Sequence, residues 1–227
     1  MSGMRGRKLV LLLYAMPNEG DLLSLELEGK EYFVNRAARF VKGTYNGRHV
    51  VLGMTGIGPE NAVSGTSYAL NTFDVSQVIV FGYCCGLSHP AFSVADLVIS
   101  QSVATAQHEF INLNRAISER LCFLASRQIE GIPWGANFQP RVHLGQFLSV
   151  DKEVRDNSQV KQLVDAGADC ADMELFWVAQ ICQERGVSVG ALKVISDIPG
   201  IQPWHHRARI GKALGTATIV DFLSDHQ

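Results

Sequence analysis

Residues 76–86 read SQVIVFGYCCG, an apolar run that leads directly into a loop flanked by two glycines. A short, continuous apolar run bounded by turn residues is typical of a strand buried on both faces of a sheet. Ligands of open α/β sheets bind beyond the carboxyl ends of such strands. The stretch therefore predicts a buried strand over Ser76–Phe81, followed by a candidate binding loop over Gly82–Gly86.

The sequence before this strand continues the same kind of pattern. An apolar run over Lys8–Tyr14 predicts another buried strand. Two extended runs, Ala38–Tyr45 and Arg48–Met54, flank Asn46-Gly47, which is the strongest short hairpin signal. Pro59–Thr72 then predicts a helix with proline in its first turn, where the missing N–H costs nothing.

Strand and helix patterns also alternate after this strand. Further strands are predicted over Ala95–Ser100, Arg141–Val150 and Val187–Ile195. Further helices are predicted over Leu113–Glu130, Glu153–Asp165, Met173–Gln183 and Arg207–Leu223. The alternation, with one antiparallel hairpin inserted, predicts the α/β class with a mixed central sheet. Because no repeat or linker divides the pattern, we expect a single domain over residues 1–227.

The overall composition excludes several classes of protein. Of the 227 residues, 47% are hydrophobic and 19% are charged, with a formal net charge of −2. Intrinsic disorder requires low hydrophobicity and high net charge, and nucleic-acid binding favours a basic excess, so we expect neither. We also expect no membrane span, because no apolar run approaches the ~18 residues that a spanning helix needs.

The N-terminus and the cysteines indicate a cytoplasmic protein. The start MSGMRGRK, followed by the apolar Leu9–Met16, has features of a signal peptide. The run is short and no small-residue cleavage site follows, so we interpret it as the first strand. The five cysteines are odd in number and form no C-x-x-C pair, which argues against a disulfide framework or a zinc site. The seven histidines form no ligand cluster, so we expect no metal.

Acidic residues follow predicted strands at the edge where a ligand would bind. Glu19 follows the first strand, Asp197 follows the last, and Glu174 opens a helix just after Asp172. Paired carboxylates suit acid–base cleavage of a glycosidic bond, because one protonates the leaving group while another activates the nucleophile. Simpler interpretations stay open: a solvated turn for Glu19, a helix N-cap for Asp172 and a turn former for Asp197.

The segment Thr55-Gly56-Ile57-Gly58 lies just before the predicted helix Pro59–Thr72. It is no dinucleotide fingerprint, because Asn61 occupies the third glycine position, and it lacks the G-K-S/T of a P-loop. Its glycines form a tight turn, or the helix start behind them offers N–H groups to an anion or water.

Six segments in this order resemble the nucleoside phosphorylase and nucleosidase superfamily, most of all the methylthioadenosine/S-adenosylhomocysteine nucleosidases. They are AMPNE (15–19), TGIGPENA (55–62), VIVFGYCCGLSHPAFSVADLVIS (78–100), FLSVD (147–151), ADME (171–174) and LKVISDIPG (192–200). The resemblance implies a three-layer α/β/α sandwich around a mixed, partly barrel-like sheet, assembled as a homodimer or larger. It also implies a small-molecule nucleoside substrate and no cofactor.

The resemblance implies a role for each matching residue. Glu19 matches the acidic residue that activates the attacking water, and Asp197 matches the acid that protonates the purine. Glu174 matches the residue that holds the ribose hydroxyls, and Met173 the residue beneath the sugar. The other candidate substrate-site residues are Ser196 and Lys193, at positions that orient these carboxylates, together with Gly56, Tyr83 and Val154.

Several residues depart from the pattern of the family. Tyr83 and Cys85 stand where the family has a small residue and glycine, and Glu153 stands where nucleosidases commonly stack an aromatic ring on the purine. The bulky Leu175–Trp177 either packs within its helix or reshapes the pocket for another nucleoside. Branches of the superfamily that act on futalosine or adenosylhopane therefore stay open.

The segment FGYCCG (81–86) has no Arg or Lys that could hold phosphate, which favours water as the nucleophile. A purine nucleoside phosphorylase is the alternative, with Arg36, Arg39 or Arg48 near the hairpin supplying the phosphate site, including across a dimer interface.

Two hypotheses come from other classes of protein. Gly82–Gly86 fits G-x-C-x-G, a nucleophile elbow with cysteine, and Asp197 and His205 follow in the chain order of α/β-hydrolases. A thiol hydrolase is therefore one alternative, although Cys84 and Cys85 are also typical of small buried residues at a strand end. The other alternative is a ligand-binding protein that has lost catalysis.

Overall fold

The computed structural model describes residues 9–87, 92–136, 138–200 and 206–225. Within these ranges, ten strands form one sheet: β1 (Leu9–Tyr14), β2 (Glu28–Asn35), β3 (Ala38–Tyr45), β4 (Arg48–Met54), β5 (Val75–Gly86), β6 (Leu97–Thr105), β7 (His108–Asn112), β8 (Val142–Ser149), β9 (Cys170–Asp172) and β10 (Ser188–Asp197). The helices are α1 (Pro17–Leu25), α2 (Pro59–Thr72), α3 (Arg115–Glu130), α4 (Asn157–Asp165), α5 (Leu175–Glu184) and α6 (Ala208–Ser224).

The sheet is mixed and partly closed. Its strand order is β10-β6-β8-β9-β5-β1-β4-β3-β2, with β7 paired to β6. Because β10 also pairs with β5, the strands from β10 to β5 close into a small barrel, while β1, β4, β3 and β2 extend from it as an open sheet. Helices α1 and α3 both pack on α6, and α2 packs on α5, which completes the expected three-layer sandwich.

Buried apolar side chains at the centre of the sheet hold these layers together. β1 lies between β4 and β5, with Leu12 opposite both Leu52 and Ile79. All three side chains are fully buried, as expected for an apolar run covered by helices on both faces. Glycine allows close packing of α6, since a Cβ at Gly215 would lie 2.7 Å from the ring of Phe81.

The predicted hairpin and helix α2 have the bounds that the sequence indicates, but other boundaries were wrong. β5 continues to Gly86, so the expected binding loop over Gly82–Gly86 is the end of a strand. The end of β10 likewise includes Asp197. α4 begins at Asn157 rather than Glu153, because the Asp156 side chain caps its first N–H groups.

Four elements have no clear sequence signal. α1 is only nine residues long and buries little apolar surface, and β2 is almost entirely exposed. β7 and β9 are short strands of five and three residues. The expectations for the N-terminal residues 1–8 and for His205 lie outside the described residues. Among the described helices, none has the length and apolar character to span a membrane.

Candidate active site

A cavity of about 330 Å³ lies beyond the carboxyl ends of β1, β5 and β10 and is completed by the segments that follow β4, β8 and β9. Its lining residues are Ala15, Met16, Glu19, Ile57, Tyr83, Cys84, Cys85, Val150, Glu153, Val154, Ala171, Asp172, Met173, Glu174, Ser196 and Asp197. The strand order places Met16 and Ile57 toward the open sheet, and Val150, Glu153 and Asp197 toward the barrel. We call these two sides the β4 end and the β10 end of the cavity.

Glu19 is held rigidly by backbone donors. It lies in the first turn of α1 and is only 3% exposed, which excludes the solvated-turn interpretation. Its Oε2 accepts hydrogen bonds from the N–H groups of Ala15 at 2.8 Å and Met16 at 2.7 Å, and its Oε1 accepts one from Tyr83 at 2.8 Å. Gly82 permits this approach, because its φ is +152° and a Cβ there would lie 2.4 Å from Oε1.

Glu174 lies at the N-terminus of α5 and faces the same cavity. Its Oε1 accepts a hydrogen bond from the N–H of Gly58 at 2.9 Å. The N–H group at the start of α2, which the sequence offered to an anion or water, thus binds the Glu174 carboxylate. Burial raises the pKa of Glu174 from 4.5 to about 7, although the charge of Lys193 acts in the opposite direction.

Two candidate contacts lie behind the cavity wall rather than on it. Gly56 has a φ of +94° and its N–H donates to the carbonyl of Ala15 at 3.2 Å, so it shapes the turn after β4. Lys193 is buried on β10, with its Nζ 2.9 Å from Asp172 Oδ2 and 4.0 Å from Glu174 Oε2. Met173, by contrast, lines the cavity directly.

The role of Asp172 was only half anticipated from the sequence. Its carboxylate accepts a hydrogen bond from the N–H of Leu175, the first residue of α5, but the N-cap of this helix is Glu174, so the N-cap interpretation of Asp172 was wrong in position. It also accepts a 2.6 Å hydrogen bond from Ser149 Oγ and pairs with Lys193. The lysine within the apolar run LKVI was the available signal, because a buried ammonium needs a buried anion.

Asp197 is the last residue of β10 and accepts a hydrogen bond from the neighbouring Ser196 hydroxyl. Its Oδ1 lies 2.5 Å from Ser196 Oγ, which also lies 3.1 Å from the carbonyl oxygen of Cys84. Burial raises the pKa of Asp197, the Ser196 hydroxyl lowers it, and the charge of Glu153 raises it further. A carboxyl group with a raised pKa can remain protonated closer to neutral pH and act as an acid.

The remaining candidates also line the cavity. Val154 is only 7% exposed, yet its backbone N–H and C=O make no hydrogen bond to any described residue. Burial raises the pKa of the Tyr83 phenol to about 12, so the phenol is neutral at physiological pH. The cavity thus combines five carboxyl groups, among them the three candidates Glu19, Glu174 and Asp197, with apolar walls.

Comparison with known proteins shows which family the chain belongs to. Residues 10–220 match the sequence profile of the phosphorylase superfamily. The chain belongs to that superfamily. A methylthioadenosine/S-adenosylhomocysteine nucleosidase of Baumannia cicadellinicola is 28% identical over 195 residues, which cover 81% of this chain and 83% of the relative.

Solved structures share the fold. The nucleosidase of the same name from Neisseria meningitidis, in complex with methylthio-immucillin-A, superposes with a TM-score of 0.79 at 20% identity and covers 96% of this chain and 99% of its own. The futalosine hydrolase of Helicobacter pylori has a TM-score of 0.79 at 19% identity, covering 96% and 97%. At these identities both structures establish the superfamily fold.

The bulky segment at the start of α5 does not reshape the cavity of this superfamily member. Leu175 and Phe176 are buried in the core, and the ring of Phe176 packs edge-on against Trp177 at 5.1 Å. None of the three lines the cavity. The packing interpretation is therefore the correct one.

The geometry does not support a cysteine elbow. Cys84 and Cys85 continue strand β5, whereas an elbow requires a sharp turn from strand into helix. Burial raises the pKa of both thiols, so they stay protonated and weakly nucleophilic at neutral pH. His205, the proposed base, lies outside the described residues.

The arginines considered for phosphate lie elsewhere. Arg48 donates to the carbonyl oxygens of Phe222 and Asp225, and Arg39 donates to that of Arg36. None of the three arginines lines the cavity. The described lining residues contribute five carboxyl groups and no Lys or Arg side chain. An added anion would therefore meet unfavourable electrostatics in this cavity.

Proposed function

We propose that the protein is a nucleosidase that hydrolyses the N-ribosidic bond of a purine nucleoside of the methylthioadenosine/S-adenosylhomocysteine type. The observation that carries the proposal is the arrangement of Glu19, Glu174 and Asp197 around one cavity of about 330 Å³. The relatives support the proposal, because the Baumannia nucleosidase is similar to this chain over most of its own length.

Cleavage of the ribosyl C–N bond develops positive charge on the sugar and negative charge on the base. In the proposed mechanism, Asp197 donates its proton to a purine ring nitrogen, so that the base leaves as a neutral molecule. Glu19, whose oxygens are fixed as acceptors, receives a proton from the water that attacks the anomeric carbon. Glu174 binds the ribose hydroxyls and holds the sugar over Met173.

The two ends of the cavity suit the two ends of this substrate. At the β10 end, the N–H and C=O of Val154, which bond to no other described residue, offer a donor and an acceptor to the edge of a purine. At the β4 end, Met16 and Ile57 offer an apolar surface to a thioether substituent on the 5′ carbon. Lys193 positions Asp172, and Ser196 positions Asp197; neither takes a direct part in the chemistry.

Water is the proposed nucleophile. The described lining residues supply no cation for phosphate, while Glu19 already occupies the backbone donors of Ala15, Met16 and Tyr83. A phosphate ion would have to displace this carboxylate or lie beside it. Neither arrangement is favourable in a partly buried cavity.

The decisive experiment measures base release from methylthioadenosine, adenosylhomocysteine, futalosine, inosine and adenosine, each with and without phosphate. We expect turnover of the first two without phosphate, and loss of turnover with retained binding in Asp197→Asn. A phosphate requirement would instead identify a phosphorylase. If the wild type and Asp197→Asn are equally inert on every substrate, the proposal fails and a non-catalytic binding protein remains.

We also propose a cytoplasmic homodimer whose subunit is a single domain over residues 1–227. Ile57, which lines the cavity, and Val63 on α2 support self-association, since these apolar side chains are 51% and 40% exposed. Light scattering of the purified protein tests the stoichiometry, and a monomer at micromolar concentration would contradict it.

A further inference from the structure

The β10 end of the cavity contains a carboxylate that the mechanism above does not use. Glu153 lies in the irregular segment between β8 and α4 and lines the same cavity as Asp197, Cys85 and Val154. Its Oε2 accepts hydrogen bonds from the Arg155 guanidinium at 3.0 and 3.2 Å. Both side chains of this pair are exposed, 66% for Glu153 and 77% for Arg155. The ion pair therefore adds little to the stability of the fold, and its main effect is to fix where the Glu153 carboxylate lies.

We propose that Glu153 promotes protonation of the departing purine by placing a negative charge at the β10 end of the cavity. This inference rests on the proposed nucleosidase function. It makes Glu153 a positioning residue for the reaction, because it acts through Asp197 and through the charge of the base. It exchanges no proton or electron itself.

The proton balance defines what Glu153 does. Asp197 gives its proton to a ring nitrogen of the purine, and the electron pair of the C–N bond passes to the base. Before that bond breaks, the protonated purine carries positive charge, which a nearby carboxylate stabilises. The attacking water later transfers its own proton to Glu19. Glu153 takes no part in these proton transfers, and its charge lowers the energy of the step in which the base becomes cationic.

Among the described residues, few other charged groups face Asp197. From its own strand Asp197 faces the Ser196 hydroxyl, and from β5 it is paired with Cys85, whose thiol is neutral because burial raises its pKa. From the segment after β8 it faces Glu153, whose charge raises the pKa of Asp197. The carboxylates of Glu19 and Glu174 line the same cavity and are already engaged by backbone donors.

A pair of substitutions with opposite sign tests the proposal. Glu153→Gln removes the charge and keeps the shape, while Arg155→Gln removes the cation that partly neutralises Glu153. Glu130→Gln, at the exposed end of α3, is the control that changes the net charge equally at a distance from the cavity. The substrates are methylthioadenosine, whose base needs a proton, and 4-nitrophenyl riboside, whose leaving group departs as an anion.

We expect Glu153→Gln to lower kcat on methylthioadenosine roughly 3- to 10-fold, while kcat on the nitrophenyl riboside is unchanged or higher. The alkaline limb of the pH profile, which reports loss of the Asp197 proton, is expected to move roughly half a unit to lower pH in Glu153→Gln and to higher pH in Arg155→Gln.

Equal losses on both substrates, or unchanged kcat in Glu153→Gln, would overturn this inference and leave the nucleosidase function standing. A wild type that cleaves no nucleoside at all would overturn the proposed function and this inference with it. The two failures are therefore distinguishable in one set of assays.

Discussion

Lys193 and Asp172 form a buried ion pair within the wall of the candidate active site, with Nζ 2.9 Å from Oδ2 and both side chains at most 3% exposed. The pair joins β10 to β9 and lies 4.0 Å from the carboxylate of Glu174. Ser149 and the N–H of Leu175 satisfy the remaining acceptors of Asp172. The ammonium thus holds two carboxylates in place, one of which is expected to bind the sugar.

Replacement of Lys193 by methionine tests this pair. Because Lys193→Met leaves a buried carboxylate without its partner, we expect the free energy of unfolding to fall by about 3–5 kcal/mol. The control is Lys161→Met, which breaks an exposed pair with Asp165 and should cost about 1 kcal/mol or less. Denaturant unfolding measures both. Equal costs would show that the buried pair has no special role.

Gly82 tests the placement of Glu19. The substitution Gly82→Ala adds a Cβ 2.4 Å from Glu19 Oε1 at a φ of +152°, so the carboxylate must shift. Displacement of the carboxylate that is proposed to activate the water is expected to reduce kcat on the order of 100-fold. Gly29→Ala is the matched control, because its φ is +59° but no atom lies within 4 Å of the added Cβ. Similar kcat losses in both variants would contradict the proposed role of Glu19.

Glu174 links stability to function. Burial raises its pKa from 4.5 to about 7, so between these values the folded protein binds the proton more tightly than the unfolded chain. The contribution of this group to stability is therefore present at low pH and is lost as the pH rises through about 7. Glu174→Gln should raise the free energy of unfolding at pH 8 on the order of 1–3 kcal/mol and have little effect at pH 5.

The same variant should bind nucleosides poorly, because an amide accepts fewer hydrogen bonds from ribose hydroxyls than a carboxylate does. We expect KM to rise at least roughly 10-fold. In the wild type, KM should rise as the pH falls below about 7, where Glu174 becomes protonated. A variant that is less stable than the wild type at pH 8 would contradict the assigned pKa direction.

The cysteines of β5 provide a further test. Burial raises the pKa of the Cys84, Cys85 and Cys122 thiols, but Cys122 on α3 is only half-buried whereas Cys84 is fully buried, so iodoacetamide should modify Cys122 before Cys84. Nucleosidase activity should survive this modification, and Cys84→Ala should retain kcat within roughly 3-fold. Mass spectrometry of the modified protein identifies the sites. Loss of activity that parallels modification of Cys84 would restore the thiol mechanism.

The sequence was most informative where local chemistry and periodicity agree. The hairpin around Asn46-Gly47 and helix α2 were predicted with their observed bounds, since turn chemistry and an N-terminal proline mark them locally. The sequence did not predict β2 or α1, because exposed or very short elements have little apolar periodicity. The sequence predicts a loop at the end of β5 because the two glycines there are also turn residues.

The amino-acid sequence by itself determined the α/β class, the superfamily and the candidate carboxylates Glu19, Glu174 and Asp197, since apolar runs and short motifs are local properties of the chain. Only the tertiary structure decided how each carboxylate is held. Besides its local donors Ala15 and Met16, Glu19 accepts a hydrogen bond from the N–H of Tyr83 on β5, and the partner of Asp172 comes from β10. Such contacts join residues far apart in the chain, and they set the burial and charge on which proton transfer depends.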